Sequence, residues 1–264
     1  MAKKTITIEG KNISYESAGQ GSAVVLLHGF GADNTIWKEQ IDYFSPHHLV
    51  IAPDLPGVNS SELLEDLSMK NIATLVLQII KAEDAKDVVL IGHSMGGYIA
   101  LAFAAHYPNQ IRGFGLFHSS ATADNDEKKA ARIKGIEFVS KNGSSTFLAT
   151  TAPKMFGAST KNGNSPAYQN FLNTLPAMSN EAITKYYEAM MARPDTTHLL
   201  QSTKLPVLFI YGLEDEIIEL NKTIEQASMP SISFVNVLKK SGHLGMIEEP
   251  QNANRAIEEF LSDI

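Results

Sequence analysis

The chain has 264 residues, of which 44% are hydrophobic and 19% charged, an ordinary composition for a globular protein. Its formal charge of −7, without a Lys/Arg cluster, argues against a nucleic-acid partner, and the absence of cysteine excludes disulfides, thiol chemistry and cysteine-ligated metal centres. Because the N-terminus lacks a signal-type apolar segment and no apolar run reaches membrane-spanning length, we expect a soluble, cytoplasmic protein with no membrane partner.

Strand and helix patterns alternate along the first part of the chain. Short alternating runs at Ile6–Ile8 and Ile13–Ser17 predict an antiparallel hairpin. Apolar runs at Ala23–Leu27 and Leu49–Ala52 have the length of buried strands, and apolar residues at helical spacing predict a helix over Met69–Ala82.

The alternation continues to about residue 120 and then stops. The pattern predicts a strand at Val88–Ile91, a helix at Met95–His106 and a strand at Gly113–Phe117. From about residue 121 to residue 200 we find helix-like segments and no convincing strand, and the clearest of these helices are Thr122–Ser140 and Ser179–Arg193. So long a helical stretch between two strands predicts an inserted lid.

The strand pattern returns near the C-terminus. Pro206–Tyr211 and Ile232–Leu238 are strand-like, Glu219–Ala227 is helix-like, and a last amphipathic helix follows Pro250. Continuous apolar strands separated by helices predict an α/β fold, with a mostly parallel sheet covered by helices on both faces. We expect residues 1–120 and 200–264 to form this core, and residues 121–199 to form a helical cap.

The segment after the strand at Val88–Ile91 has the pattern Gly92-x-Ser94-x-Gly96. A sharp strand-to-helix turn of this type holds its serine at positive φ, and side chains two positions away would collide with neighbouring backbone. Because a helix begins immediately afterwards, its unpaired N–H groups point at negative charge that develops near the serine. We therefore predict Ser94 as a nucleophile and the backbone N–H of Met95 as an oxyanion donor.

A serine nucleophile needs a base, and the base needs an acid that orients it. His243 follows the last predicted strand, and Asp215 follows the strand before it, at the edge where parallel sheets assemble their sites. We predict that His243 is the base and Asp215 the acid, although Glu214 and Glu216 flank Asp215 and offer alternative carboxylates.

Several motifs of the chain resemble those of the α/β-hydrolase superfamily, whose triad also occurs in the order serine, acid, histidine. His28–Gly31 resembles the oxyanion loop, which implies that the backbone N–H of Phe30 is the second oxyanion donor. Asp54–Ser60 resembles the D-x-x-G-x-G-x-S segment, with Asn59 in place of glycine, and asparagine tolerates left-handed backbone. The G-H-S-M-G-G form of Gly92–Gly97 is common among lipases, esterases, lactonases and haloperoxidases.

Some members of this superfamily carry the acid after the preceding strand, where Asp124 and Asp126 lie. We expect these two carboxylates to cap the first helix of the lid instead. His28 is expected to be a structural loop residue that bonds to backbone, and His93 to occupy a position open to many residue types.

The resemblance implies a serine hydrolase that transfers an acyl group in two steps, with neither a metal nor an organic cofactor. The predicted substrate is a small or medium carboxylic ester or lactone with an apolar acyl or aryl part, because the lid is rich in methionine and aromatic residues. The lid loosely resembles that of carboxylesterases and 3-oxoadipate enol-lactonase-like members. Two alternatives stay open: a C–C bond hydrolase or haloperoxidase-like perhydrolase with the same triad, and a non-catalytic ligand sensor. The sequence carries no signal for an oligomeric state.

Overall fold

A computed structural model describes residues 2–163 and 165–264. Its eight strands form one sheet in the order β1-β2-β4-β3-β5-β6-β7-β8. Strand β2 pairs antiparallel with both β1 and β4, and all the other pairs are parallel. The strands are β1 (Ala2–Ile8), β2 (Lys11–Ala18), β3 (Ser22–Leu27), β4 (Leu49–Pro53), β5 (Lys86–His93), β6 (Gly113–Phe117), β7 (Val207–Gly212) and β8 (Ser233–Leu238).

Twelve α-helices are present in the described part of the chain, together with short 3₁₀ turns. The helices are α1 (Lys38–Phe44), α2 (Met69–Ala82), α3 (Met95–His106), α4 (Asp126–Asn142), α5 (Ser144–Thr151), α6 (Ala158–Asn162), α7 (Pro166–Asn173), α8 (Asn180–Ala192), α9 (Thr197–Ser202), α10 (Leu220–Thr223), α11 (Gly245–Glu248) and α12 (Pro250–Asp263). Among these helices, none combines the length and the apolar character that crossing a lipid bilayer would require.

The core consists of two apolar layers, one on each face of the sheet, as the continuous apolar strands predicted. Successive residues of β3 alternate between them: Val25 and Leu27 belong to the layer under α2 and α3, whereas Val24 and Leu26 belong to the layer under α1 and α12. This alternation follows from the period of two in a strand. The predicted α/β fold, with a mostly parallel sheet between helical layers, is therefore confirmed.

Six α-helices, α4 to α9, lie between β6 and β7, and no strand occurs among the described residues of this interval. The expected caps of the first of these helices are wrong. Asn125 is the N-cap of α4, Asp126 lies in the first turn, and Asp124 is buried in ion pairs with two arginines. A second difference concerns the segment predicted as one helix at Glu219–Ala227, where α10 gives way to a 3₁₀ turn.

Asn59, which replaces the glycine of the related motif, adopts a left-handed conformation with a φ of 49°. Its side chain donates to Asp33 Oδ2 over 2.8 Å and accepts from the backbone N–H of Ala177 over 3.0 Å. The backbone N–H of Asn59 donates in turn to the carbonyl of Ala177 over 2.9 Å. The asparagine thus adopts the backbone that the turn needs and ties this loop to the segment before α8.

We expect Phe260→Ala to lower the free energy of unfolding by about 3–5 kcal/mol, because the ring is fully buried between α12 and the sheet. Chemical denaturation followed by circular dichroism measures the change. Ile133→Ala is the control, since that side chain is 50% exposed and its loss should cost less than about 1 kcal/mol. Equal losses in the two variants would contradict the assignment of α12 to the core.

Candidate active site

Ser94 lies between the end of β5 and the start of α3, and its backbone has φ 51° and ψ −114°. This conformation is unfavourable for a residue with a side chain and must be held by its surroundings. A Cβ atom on Gly92 would lie 2.2 Å from the carbonyl oxygen of Gly96, and one on Gly96 would lie 2.4 Å from that of Leu27. Both positions therefore have to be glycine, as the sequence pattern predicted.

Hydrogen bonds to the segment at the end of β6 stabilise the turn at Ser94. The backbone N–H of Ser94 donates to the carbonyl of Phe117 at the end of β6 over 2.9 Å, and the hydroxyl of Ser119 donates to the carbonyl of Ser94 over 2.7 Å. Gly29 packs against the serine from the end of β3, so closely that a Cβ atom there would lie 3.1 Å from Ser94 Cβ.

Two backbone N–H groups next to this turn have no acceptor within the described residues, those of Phe30 and Met95. Met95 is the first residue of α3, so its N–H is one of those that an α-helix leaves unpaired. Phe30 follows Gly29 in a loop that His28 anchors, because His28 Nε2 accepts from the N–H of Leu55 over 2.9 Å and its Nδ1 donates to the carbonyl of Gly29 over 2.8 Å. The expectation that His28 is a structural loop residue agrees with these bonds.

Asp215 follows β7, His243 follows β8, and the two side chains meet. Nδ1 of His243 lies 2.8 Å from Oδ2 of Asp215. The other carboxylate oxygen, Oδ1, accepts from the backbone N–H groups of Ile217 and Ile218 over 2.8 Å and 2.9 Å. Both side chains are buried. The carboxylate is therefore fixed at one oxygen by backbone and presents the other to the imidazole.

A second imidazole, which the sequence analysis did not single out, faces the same carboxylate. Nδ1 of His118, at the end of β6, lies 3.1 Å from Oδ2 of Asp215, although its N–H is not well aligned with that oxygen. Its Nε2 accepts from the backbone N–H of Gly245 over 3.2 Å, which leaves the ring proton on Nδ1. His118 is fully buried and has a φ of 48°. Its position directly after a strand, as for Asp215 and His243, is the signal that could have found it.

His93 is likewise more constrained than expected. Its ring is fully buried, and Nε2 donates to the backbone carbonyl of His243 over 2.8 Å. The rings of His93 and His243 lie 4.8 Å apart between centroids. The residue before the serine thus holds the backbone of the histidine in place, a contact between strand ends that no local sequence pattern reveals.

The electrostatics of this cluster favour a negative charge on Asp215 next to two neutral imidazole rings, those of His118 and His93. Burial by itself would raise the pKa of Asp215, but attraction to His243 and the closeness of both imidazole N–H groups outweigh burial and hold that pKa well below its usual range. Burial lowers the pKa of His118, and Asp215 only partly offsets this effect. Burial and the neighbouring imidazoles hold the pKa of His93 well below its ordinary value. At neutral pH Asp215 is therefore ionised, and these two rings are neutral.

Ser94, His243 and Phe30 line one cavity of about 480 Å³. Most of its other lining residues come from α4, α5 and α8 and from the 3₁₀ turn after α5, namely Lys128, Ala131, Arg132, Leu148, Thr151, Ala152, Lys154, Met155, Tyr187 and Met190. A larger cavity, of about 630 Å³, shares only Tyr98 with it and contains neither Ser94 nor His243. The chemical groups described above therefore assign the site to the smaller cavity.

Among the described residues, the one group of side chains that could hold a metal ion consists of His118, Asp215 and His243. Ligand atoms of His118, Asp215 and His243 lie within 4.8 Å of one another. His243 Nδ1 is hydrogen-bonded to Asp215, and Nδ1 of His118, which lies 3.1 Å from the same carboxylate, carries a proton because its Nε2 accepts from Gly245. Hydrogen bonding thus accounts for the arrangement, and the absence of a cofactor stays a prediction.

The fold matches that of a known class of proteins. The model of the Alpha/beta hydrolase family matches residues 24–256, and the chain belongs to this family.

Among solved structures, a thermophilic esterase from Thermogutta terrifontis with malate bound is 29% identical, covers 100% of this chain and 99% of its own, and superposes with a TM-score of 0.92. Among characterised relatives, 3-oxoadipate enol-lactonase 1 of Acinetobacter baylyi is 23% identical over 97% of this chain and 95% of its own. The pimeloyl-[acyl-carrier protein] methyl ester esterase of Vibrio vulnificus is 25% identical over 91% and 94%.

The lowered pKa of Asp215 predicts a specific pH dependence of stability. A carboxylate whose folded pKa lies below its unfolded value stabilises the fold above about pH 4, and this stabilisation is lost as the pH falls further. We expect the free energy of unfolding to fall more steeply between about pH 5 and pH 2 in the wild type than in Asp215→Asn.

Denaturant titrations at several pH values measure both slopes. Asp84→Asn is the control, because that side chain is 88% exposed and its one ion pair among the described residues is with Lys86. Its slope should equal the wild-type slope. Parallel slopes for the wild type and Asp215→Asn would contradict the lowered pKa.

Proposed function

We propose that the protein is a serine hydrolase that cleaves small or medium carboxylic esters or lactones through an acyl-enzyme intermediate. The observation that carries this proposal is one shared cavity: Ser94 lines it from a turn at positive φ, and His243 lines it with its Nδ1 2.8 Å from the buried Asp215. Kinship with an esterase and an enol-lactonase supports the same reaction class.

In the first step His243 takes the proton of the Ser94 hydroxyl, and the oxygen attacks the substrate carbonyl. Since Nδ1 of His243 faces Asp215, the proton is accepted at Nε2, and the carboxylate stabilises the imidazolium that forms. N–H groups hold both oxygens of Asp215, so the carboxylate does not need to move when His243 becomes charged during proton transfer.

The negative charge on the substrate oxygen is stabilised by the N–H groups of Phe30 and Met95. Neither donates to an acceptor within residues 2–163 and 165–264, and both flank the serine. Loss of one such donor typically costs on the order of a hundredfold in rate. His243 then protonates the leaving group and activates the water that hydrolyses the acyl-enzyme.

The helices between β6 and β7 are proposed to act as a cap formed by residues 121–199. Three of them, α4, α5 and α8, contribute lining residues to the cavity that contains Ser94. The apolar lining residues Leu148, Met155 and Met190 suit an apolar stretch of substrate. A cavity of about 480 Å³ accommodates a small or medium molecule rather than a long lipid.

We expect a fluorophosphonate probe to label the wild type at Ser94 and to leave Ser94→Ala unlabelled, because only an activated serine reacts. Peptide mapping identifies the labelled residue, and p-nitrophenyl esters and lactones measure turnover. In Ser94→Ala the value of kcat should fall by at least about a thousandfold. Ser145→Ala, at an exposed serine, is the control and should behave as the wild type.

The same assays separate the alternatives. Turnover confined to vinylogous diketones would favour a C–C bond hydrolase, and turnover that requires peroxide would favour a perhydrolase. Labelling at a serine other than Ser94 would overturn the assignment of the nucleophile. The absence of both labelling and turnover would overturn the proposed mechanism and leave a ligand sensor.

We expect His118→Phe to lower kcat by roughly 10- to 100-fold at unchanged KM, because Oδ2 of Asp215 loses the second of its two neighbouring imidazoles and the imidazole of His243 is held less firmly. Phenylalanine keeps a ring in the buried site but removes both nitrogens. Steady-state kinetics measure the change, and the melting temperature reports whether the fold is retained. His47→Phe, at an exposed histidine, is the control. An unchanged kcat in a folded His118→Phe variant would assign the ring to packing alone.

A further inference from the structure

The cavity that contains Ser94 is positively charged in a protein of net negative charge. Lys128, Arg132 and Lys154 line it, and no Asp or Glu occurs among its described lining residues. The whole chain carries 29 acidic and 22 basic residues. A concave site lined by charges of one sign focuses the field and attracts ligands of the opposite sign.

One of these cations, Arg132, belongs to a buried cluster of two arginines and one aspartate, which has a surplus of one positive charge. Asp124, whose side chain is fully buried, accepts from Nε and Nη2 of Arg132, the latter over 3.3 Å, and lies 2.9 Å from Nη1 of Arg193. One carboxylate therefore serves two guanidinium groups. Burial by itself would lower the pKa of Arg132, but the hydrogen bond that it donates to Asp124 raises this pKa above its ordinary value, so the guanidinium stays charged.

The two arginines differ in what else they contact. Arg193 donates to the carbonyls of Met190 and Thr122 over 2.7 Å and 2.8 Å, and its guanidinium lies 3.8 Å from the centre of the Tyr98 ring. The N–H donors of Arg193 are thus used in bonds to the backbone of α8 and of the segment before α4. Nη1 of Arg132 makes no hydrogen bond to any described residue, and the Arg132 side chain is 18% exposed and lines the cavity.

Arg132 also lies close to the proposed oxyanion loop. Its guanidinium is 5.4 Å from the centre of the Tyr187 ring, which stacks on Phe30 with a centroid distance of 4.6 Å. Burial raises the pKa of Tyr187 to about 12, so its hydroxyl is a neutral donor. One aromatic ring therefore separates the cation from the residue whose N–H is proposed to hold the oxyanion.

We propose that Arg132 binds a carboxylate at the far end of the acyl chain, and that the preferred substrates are esters or lactones of dicarboxylic acids with one free carboxylate. The planar guanidinium edge suits a carboxylate, and such a charge-assisted pair is about twice as strong as a neutral hydrogen bond. The acyl part stays in the cavity through both steps, so the contact would persist in the acyl-enzyme. This inference rests on the proposed function and narrows its substrate class.

The simpler explanation is that Arg132 only neutralises Asp124 and fastens α4 to the loop before it. This role predicts an effect on stability but none on the choice between charged and neutral substrates. Since Arg193 also pairs with Asp124, the carboxylate is not left alone when Arg132 is replaced. Substrate discrimination is therefore the measurement that separates the two roles.

The test compares two p-nitrophenyl esters with five-carbon acyl chains, the mono-ester of glutarate and the ester of valerate. Each value of kcat/KM is divided by the rate of alkaline hydrolysis of the same ester, which removes differences in intrinsic reactivity. We expect the wild type to prefer the glutarate ester at low ionic strength. In Arg132→Met the ratio of glutarate to valerate should fall about 10- to 100-fold, which corresponds to loss of a hydrogen bond to a charged group.

Two further variants complete the test. Arg132→Lys keeps the charge without the planar fork and should give an intermediate ratio. Lys134→Met removes one positive charge from the exposed side of α4, outside the cavity lining, and should keep the wild-type ratio. A ratio that falls equally in Lys134→Met and Arg132→Met would assign the preference to general charge and overturn the contact.

If Arg132→Met does not fold, the glutarate-to-valerate ratio of the wild type by itself tests the carboxylate site. A wild type that hydrolyses the valerate ester as well as or better than the glutarate ester overturns the carboxylate site, while labelling of Ser94 keeps the hydrolase intact. A wild type that cleaves neither ester and is not labelled at Ser94 overturns the proposed function itself. The two failures are therefore distinguishable.

Discussion

The site depends on the close packing of the Ser94 turn against the end of β3. Gly92 and Gly96 have no room for a side chain, because backbone carbonyls stand within 2.4 Å of where a Cβ would lie. This approach allows Gly29 to contact the serine, next to the N–H groups of Phe30 and Met95, which have no acceptor in the described part of the chain. The unfavourable backbone of Ser94 is maintained because its N–H and its carbonyl are both bonded to the segment at the end of β6.

A second constraint is the buried carboxylate of Asp215, which organises three strand ends at once. It receives backbone N–H groups from its own loop, the imidazole of His243 after β8 and that of His118 after β6. Burial by itself would raise the pKa of this carboxylate, whereas these partners hold that pKa below its usual range and keep the group ionised. His93 adds a bond to the backbone of His243, so the histidine is held from its ring and from its chain.

The charge distribution separates the proposed site of bond cleavage from the proposed site of substrate selection. Asp215 is the one carboxylate in the cluster that it forms with His118 and His243, and N–H groups surround it. On the side of the cavity formed by α4, the charged lining residues are the cations Lys128 and Arg132. Asp124 shows how the fold achieves this arrangement, since it holds two arginines in place and leaves one of them facing the cavity. A carboxylate that the sequence suggested as a helix cap thus acts as the anchor of a positively charged wall.

Local patterns by themselves determined the parallel sheet, the turn at Ser94 and the choice of Asp215 and His243 as its candidate partners. Apolar runs, glycine spacing and strand ends are properties of short segments, and each acts within a few residues of where it is written. Asn59 belongs to this group, because its tolerance of left-handed backbone is intrinsic to the residue. Only the tertiary structure decided the roles of His118, His93, Asp124 and Arg132. The contacts of His118 and His93 join different strand ends, and Asp124 joins Arg132 of α4 to Arg193 after α8. Burial at these contacts sets which groups stay charged, and no pattern along the chain records it.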